Sequence, residues 1–141
     1  VGRGWIETHW PERRFPTRAD LDAVVGDRTV YLERIDGHAA VVNSQALTLA
    51  GITNAMANPP GGRIERDAAG AATGMLIDAA TGLVEQTLPP ISAETKREAL
   101  KQDASLYASR GWTGVANMST GLDEVEIFEA LAERLRSCWS S

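Results

Sequence analysis

The stretch Thr29 to Ser44, TVYLERIDGHAAVVNS, decides how this chain is read. An extended apolar run, Val30-Tyr31-Leu32, leads into a polar cluster of Arg34, Asp36, Gly37 and His38. A short apolar step, Ala39 to Val42, follows, and then Asn43-Ser44, both good helix N-cap residues. The pattern predicts a central strand over Arg28 to Ile35, a polar loop and a helix. In α/β proteins the loop at the carboxyl end of a strand carries ligands and catalysis. The plain alternative is a loop in which Asp36 accepts backbone hydrogen bonds and His38 packs with a satisfied ring.

The composition bounds what surrounds this stretch. The chain has 141 residues, 43% of them hydrophobic and 23% charged, enough for one domain with a real core. A net charge of -5 and a pI near 5.0 argue against a nucleic-acid partner, because no basic stripe is present to release counterions. No apolar run approaches the roughly 18 residues of a membrane-spanning helix, and Val1 to Trp5 has no signal-peptide core. A single cysteine, Cys138, excludes an intrachain disulfide and fits a reducing, cytoplasmic setting. With only His9 and His38, a metal site built from His and Cys alone is hard to assemble.

Upstream of the central stretch, Trp5, His9 and Trp10 either line a pocket or anchor a chain end against the core. Thr17 with Asp20 three residues on makes a capping box for a short helix. Leu21, Val24 and Val25 face inward on it, and Gly26-Asp27 ends it. Downstream, a helix runs from Asn43 or Ser44 to Ala50, stopped by Gly51. Asn54, Asn58 and Pro59-Pro60 keep the next segment irregular. Gly61 to Asp78 reads as a β-hairpin turning at Asp67 to Gly70, with Thr73-Gly74 a bulge or a close backbone approach. Asp78 serves either as the cap of a helix over Ala79 to Val84 or as a functional carboxylate. Ser92 caps a long helix to about Arg110, with Leu100, Ala104 and Tyr107 on one face. A short strand over Thr113 to Met118 and an amphipathic helix from Asp123, with Val125, Phe128, Leu131, Ala132 and Leu135 as its stripe, complete one βα repeat. Leu135 to Ser141 reads as a short polar tail.

Taken together, Gly4-Trp5, RRFPTRADLD (Arg13 to Asp22), RIDGHAAVVNS (Arg34 to Ser44), PPGGRIERD (Pro59 to Asp67), Gly70 to Leu76 with Asp78, and Ser109 to Thr113 resemble amidohydrolase family 3. These are relatives of N-substituted formamide deformylase within the metal-dependent amidohydrolases. The combination of Arg-x-Asp-Gly-His-Ala with the Pro-Pro-Gly-Gly-Arg-Ile hairpin is specific. The resemblance implies an α/β chain that is a partial (β/α) barrel-derived module with an inserted β-hairpin lobe and several helices. It implies one domain, 1–141, made of the lobe (about 1–90) and one βα unit (about 91–136). It also implies zinc or another divalent metal that activates water against an amide-like carbon.

Carried over residue by residue, the resemblance makes Asp36 and His38 the catalytic candidates. Arg34, Trp5 and Trp10 become substrate-binding candidates, and Asp78 a metal-facing carboxylate. Asp78 stands where the family usually has a glutamate, one methylene longer, and Asn117 stands where relatives often carry a more acidic or His-containing strand end. The family's His-x-His motif is absent, since His9 and His38 are isolated. Asp36, His38 and Asp78 supply three ligands in principle, but the family offers no precedent for that set. Two expectations follow: a metal-dependent C–N hydrolase or a piece of one, incomplete alone, in which His38 and Asp36 position substrate or metal, or a non-catalytic α/β module that forms a homodimer through surfaces left open. Neither implies a nucleic-acid or membrane partner.

Overall fold

The computed structural model describes the backbone of residues 1–117 and 120–139, and their side chains except at 123 and 134–139. It divides into two compact units, 1–88 and 89–141. The first is built on a five-stranded sheet: β1 (Gly2–Trp5), β2 (Tyr31–Arg34), β3 (Ala39–Val42), β4 (Gly62–Arg66) and β5 (Ala72–Asp78). The order across the sheet is β1-β2-β3-β5-β4. Only the β1–β2 pair is parallel, and the other three ladders are antiparallel. Helices α1 (Arg18–Val25), α2 (Ser44–Leu49) and α3 (Gly82–Glu85) flank it, with a 3₁₀ turn at Glu7–His9.

The strand-loop-helix expected over residues 28–44 is corrected here. Tyr31–Arg34 and Ala39–Val42 form a hairpin, with Leu32 opposite Val41. The turn is closed by the Gly37 N–H donating to the Arg34 carbonyl at 3.0 Å. Gly37 has φ 74, which only glycine adopts without strain. The apolar step Ala39 to Val42 is therefore itself a strand, because its backbone finds partners in β2 on one edge and β5 on the other. All four of its residues are buried.

Alternation along the strands divides the core into two clusters. Ala40, Val42, Leu76 and Ile64 face α2, α3 and the segment between, packing with Ala46, Leu47, Ile52 and Val84. Ala39, Val41 and Met75 face the other way, against Trp5, Leu21, Leu32 and Ile77. Helix α1 starts where expected, with Asp20 accepting from the Thr17 N–H at 2.7 Å. Of its three inward candidates, Val24 is 77% exposed: Leu21 alone reaches the second cluster.

The second hairpin lies where the sequence puts it, turning through the Asp67 side chain, which accepts from the N–H groups of Ala69 and Ala71 at 2.9 Å. Gly74 is both a register irregularity and a close approach. Ile64 pairs with Leu76 but Arg66 pairs with Ala72, so β5 carries the extra residues. A Cβ at Gly74 would stand 2.4 Å from the Val42 carbonyl oxygen. Asn54 and Asn58 do more than break structure. Their side-chain oxygens accept from the N–H groups of Ala72 and Ile64, each at 3.0 Å.

The expected helix from Ala79 is shorter, α3 being preceded by a turn in which the Thr81 N–H donates to the Asp78 carbonyl at 3.0 Å. Asp78 is not its cap, because α3 begins at Gly82 and Thr81 occupies the N-cap position.

The second unit consists of α4 (Ala93–Ser109) and α5 (Leu122–Trp139). Ser92 caps α4 as expected, accepting from the Thr95 N–H at 3.1 Å. The expected strand from Thr113 is not formed over residues 113–117. No strand lies beside it among the described residues, and a lone extended segment has no ladder to join. Met118 lies outside the described residues. The buried position of α5 is Ile127, 7% exposed, while Val125 and Phe128 are half open; the side chain of Leu135 lies outside the described residues. The tail expected from Leu135 is helical through Trp139. Among the described residues no helix is long and apolar enough to cross a membrane.

Asn43 ties this architecture together. It is 0% exposed. Its oxygen accepts from the Val30 N–H at 3.0 Å and the Ala46 N–H at 3.2 Å, and its amide donates to the Arg28 carbonyl at 2.8 Å. Asn43→Ala strands three backbone groups and removes a helix cap. It is expected to cost about 3 kcal/mol, read as a lower midpoint in urea unfolding.

Candidate functional site

The β2–β3 turn presents a chain of charged groups. Arg34, at the end of β2, donates from Nε to Glu7 at 2.9 Å and from a terminal nitrogen to the other Glu7 oxygen at 2.8 Å. This two-pronged geometry fixes the guanidinium plane. Its remaining terminal nitrogen meets Asp36. Asp36 in turn accepts from the His38 N–H at 3.1 Å, an Asx-type turn that holds the loop. The His38 Nδ1 stands 3.0 Å from Asp78 Oδ1 on β5, forty residues away in sequence.

The structure thus brings Arg34, Asp36, His38 and Asp78 together. Backbone pairing does the work: the Asp78 N–H donates to the His38 carbonyl at 2.8 Å, setting the two side chains side by side. The contact engages Nδ1, so Nε2 is the ring nitrogen left outside the pair. His38 is 77% exposed and Asp78 52%, so this pair faces outward rather than packing in the core. The charges tune one another. Side-chain hydrogen bonding from Arg34 holds the Glu7 carboxyl below its ordinary range. The His38 N–H, and then the charge of Arg34, do the same for Asp36.

Trp5 and Trp10 sit elsewhere. Their rings stack at 5.8 Å between centroids and 21° between planes, and Phe15 meets Trp5 edge-on at 6.5 Å. The Trp5 indole N–H donates to the Leu32 carbonyl at 2.9 Å. The pair lines a cavity of about 350 Å³ whose other apolar walls are Pro16, Leu21, Leu32 and Val41, with Glu12, Arg14 and Asp20 at its polar side. Arg34 and His38 are not among its lining residues, so the substrate-binding candidates Trp5 and Trp10 stand apart from the third, Arg34. His9 is exposed and does not line the cavity.

Sequence reasoning missed Glu7 and Arg14. Nothing in a sequence marks Glu7 as the partner of Arg34 until β1 is known to lie parallel beside β2. Arg14 carries its own signal, since it lies three residues ahead of the N-cap Thr17, whose capping box supplies its partner Asp20.

Among the described residues no group of three or more His, Cys, Asp or Glu is placed to hold a metal ion. Both Asp36 oxygens are already engaged, one by the His38 N–H and one by Arg34. These residues on their own do not fit a catalytic divalent ion, which needs about three protein ligands and an open position.

The model of the amidohydrolase family matches residues 1–138. A putative amidohydrolase of Bacillus subtilis, YtcJ, is 40% identical over 114 residues, 81% of this chain and 22% of that protein. The N-substituted formamide deformylase of Arthrobacter pascens is 34% identical over 131 residues, 90% of this chain and 24% of that protein. The protein LONG AFTER FAR-RED 3 of Arabidopsis thaliana is 37% identical over 118 residues, 84% of this chain and 20% of that protein. Among solved structures, a metal-dependent hydrolase of Pyrococcus horikoshii superposes with a TM-score of 0.58 at 19% identity, over 95% of this chain and 25% of that one. A metal-dependent hydrolase of Pyrococcus furiosus gives 0.55 at 23% identity, over 96% and 26%. The chain spans about a fifth to a quarter of the length of the relatives it matches.

Glu7 and Asp36 are held ionised by their neighbours, so their contribution to stability is present above the ordinary carboxylate range, near pH 4, and fades as pH falls through their lowered values. Arg34→Met is expected to raise both titration midpoints in carbon-detected NMR and to move acid unfolding to higher pH.

Proposed function

This chain belongs to the amidohydrolase family, and on that premise we propose that it forms the substrate-positioning lobe of a metal-dependent hydrolase of amide-like C–N bonds. The observation that carries the reading is the His38–Asp78 pair on the Asp-Gly-His-Ala turn. Asp78 orients the ring, Asp36 and Arg34 hold the turn, and the outward Nε2 of His38 is free to meet a substrate carbonyl or its attacking water. The metal, zinc or a similar divalent ion, supplies the activated water in such a hydrolase, and its ligands come from outside these residues. The single cysteine supports a cytoplasmic setting.

A chimera tests this: the matching segment of the Arthrobacter formamide deformylase is replaced by these residues, and turnover of N-substituted formamides is followed. Turnover is expected in the chimera, and His38→Ala within it is expected to lower kcat about a hundredfold. The 141-residue chain alone is expected to retain no stoichiometric zinc after dialysis and to show no turnover. Stoichiometric zinc with hydrolysis by the isolated chain, or full activity of the His38→Ala chimera, refutes the reading.

A second reading, a homodimeric assembly module, is favoured by α4, which buries none of its residues. Leu106, Tyr107, Trp112 and Val115 are 48%, 43%, 61% and 63% exposed. Clustered exposed apolar residues of this kind mark association surfaces. Light scattering is expected to give twice the chain mass under this reading, and the chain mass alone removes it.

A further inference from the structure

We propose that the cavity beside Trp5 and Trp10 is a binding site for a small neutral molecule bearing one aromatic ring. This goes beyond the hydrolytic reading, since neither a metal nor His38 takes part.

Size comes first. At about 350 Å³ the cavity lies at the low end of ligand pockets, where a one-ring molecule fits and a dinucleotide does not. The chemistry of the walls comes next. Leu21, Leu32 and Val41 form an apolar floor, and the two indoles supply flat surface. The one polar atom of the Trp5 ring is already bound to the sheet at Leu32, so what Trp5 offers a ligand is its apolar ring.

The spacing of the indoles decides how a ring is received. Inserting a third ring between them needs about 7 Å, twice a van der Waals separation, and they stand at 5.8 Å. A ligand ring therefore packs beside the pair, in the offset or edge-on arrangements that aromatic groups favour.

Charge then separates neutral ligands from charged ones. Arg14 gives one N–H to each Asp20 oxygen, both at 2.7 Å, and another to the Phe15 carbonyl at 3.1 Å. Asp20 also accepts from the Thr17 N–H and hydroxyl, at 2.7 and 2.9 Å. The guanidinium and the carboxylate satisfy each other, so neither is left to recruit a charged ligand. Glu12 leaves the three groups with one net negative charge, which disfavours an anion, and the comparison with benzylammonium decides whether a cation is taken instead.

The test uses the full chain labelled with 5-fluorotryptophan, its signals assigned by single Trp→Phe variants. N-benzylformamide, benzoate and benzylammonium are titrated in turn. N-benzylformamide is expected to shift the Trp5 and Trp10 signals saturably while the Trp112 signal stays in place. Trp10→Ala is expected to weaken binding about tenfold. Leu21→Phe, which fills the floor, is expected to abolish binding with the urea midpoint retained. No saturable shift at millimolar ligand, benzoate or benzylammonium binding as tightly as the neutral probe, or unchanged binding in Leu21→Phe overturns the proposal. No arm measures hydrolysis, so a failure here leaves the chimera result standing, and a failed chimera leaves this one.

Discussion

The first unit depends on β3 being paired on both edges and covered on both faces. Its four residues bury two layers at once: Ala40 and Val42 toward α2 and α3, Ala39 and Val41 toward Trp5 and Leu21. Burying each valine stabilises the fold by about 2 kcal/mol. The two alanines matter for the opposite reason, because small side chains let neighbours close over the strand. Gly74 extends the same logic across the ladder: its missing side chain lets β5 come against the Val42 carbonyl and α1. Where β3 ends, the buried Asn43 turns the chain from sheet to helix while pairing three backbone groups, those of Arg28, Val30 and Ala46.

The charged turn follows from that frame. A strand held on both sides has one freedom left, at its ends, and the polar cluster occupies one of them. Residues Arg34 and Asp78 come from strands flanking β3, and His38 stands one position before it. Their meeting is a consequence of the registers Glu33 opposite Ala40 and Ala39 opposite Ile77. A cluster built this way is well placed but already saturated. Arg34 answers Glu7 and Asp36, and Asp36 answers the His38 N–H. Such carboxylates orient a neighbour better than they capture a free cation, because a cation would have to displace a charge-assisted bond.

How much of this was legible in the sequence depends on the range of the interaction. Local chemistry read correctly: Thr17 with Asp20, Asn43 before its helix, Asp67 to Gly70 as a turn, Ser92 as a cap. The family was legible too, since its motifs lie within short stretches. The central error was also local. Asp36-Gly37 is a hairpin dipeptide, but an apolar run of four followed by a capping pair looks like a helix approach, and periodicity cannot tell a short buried strand from that. Position 24 was misjudged because a helix only two turns long turns few residues inward. What stayed invisible was long-range pairing. The Glu7–Arg34 contact needs β1 beside β2, and the expected strand after Thr113 needed a neighbouring strand to make it one.

The alternation of β2 explains why the aromatic cavity and the catalytic candidates part company. Leu32 and Arg34 share one face of that strand, Tyr31 and Glu33 the other. Leu32 floors the cavity, while Arg34, one step nearer the turn, is drawn away by Glu7. Tyr31, on the opposite face, reaches Glu85 beyond the first core cluster, its hydroxyl 2.5 Å from the carboxylate, and burial pushes its ionisation up. Three residues of one strand therefore serve three places: an apolar floor, a charged turn and a clasp between sheet and helix. A one-residue slip of β2 would exchange these faces, sending Arg34 into the core side and Tyr31 toward the cavity. The burial of Tyr31 is therefore what fixes the register, and through it both the ring-sized cavity and the charged turn.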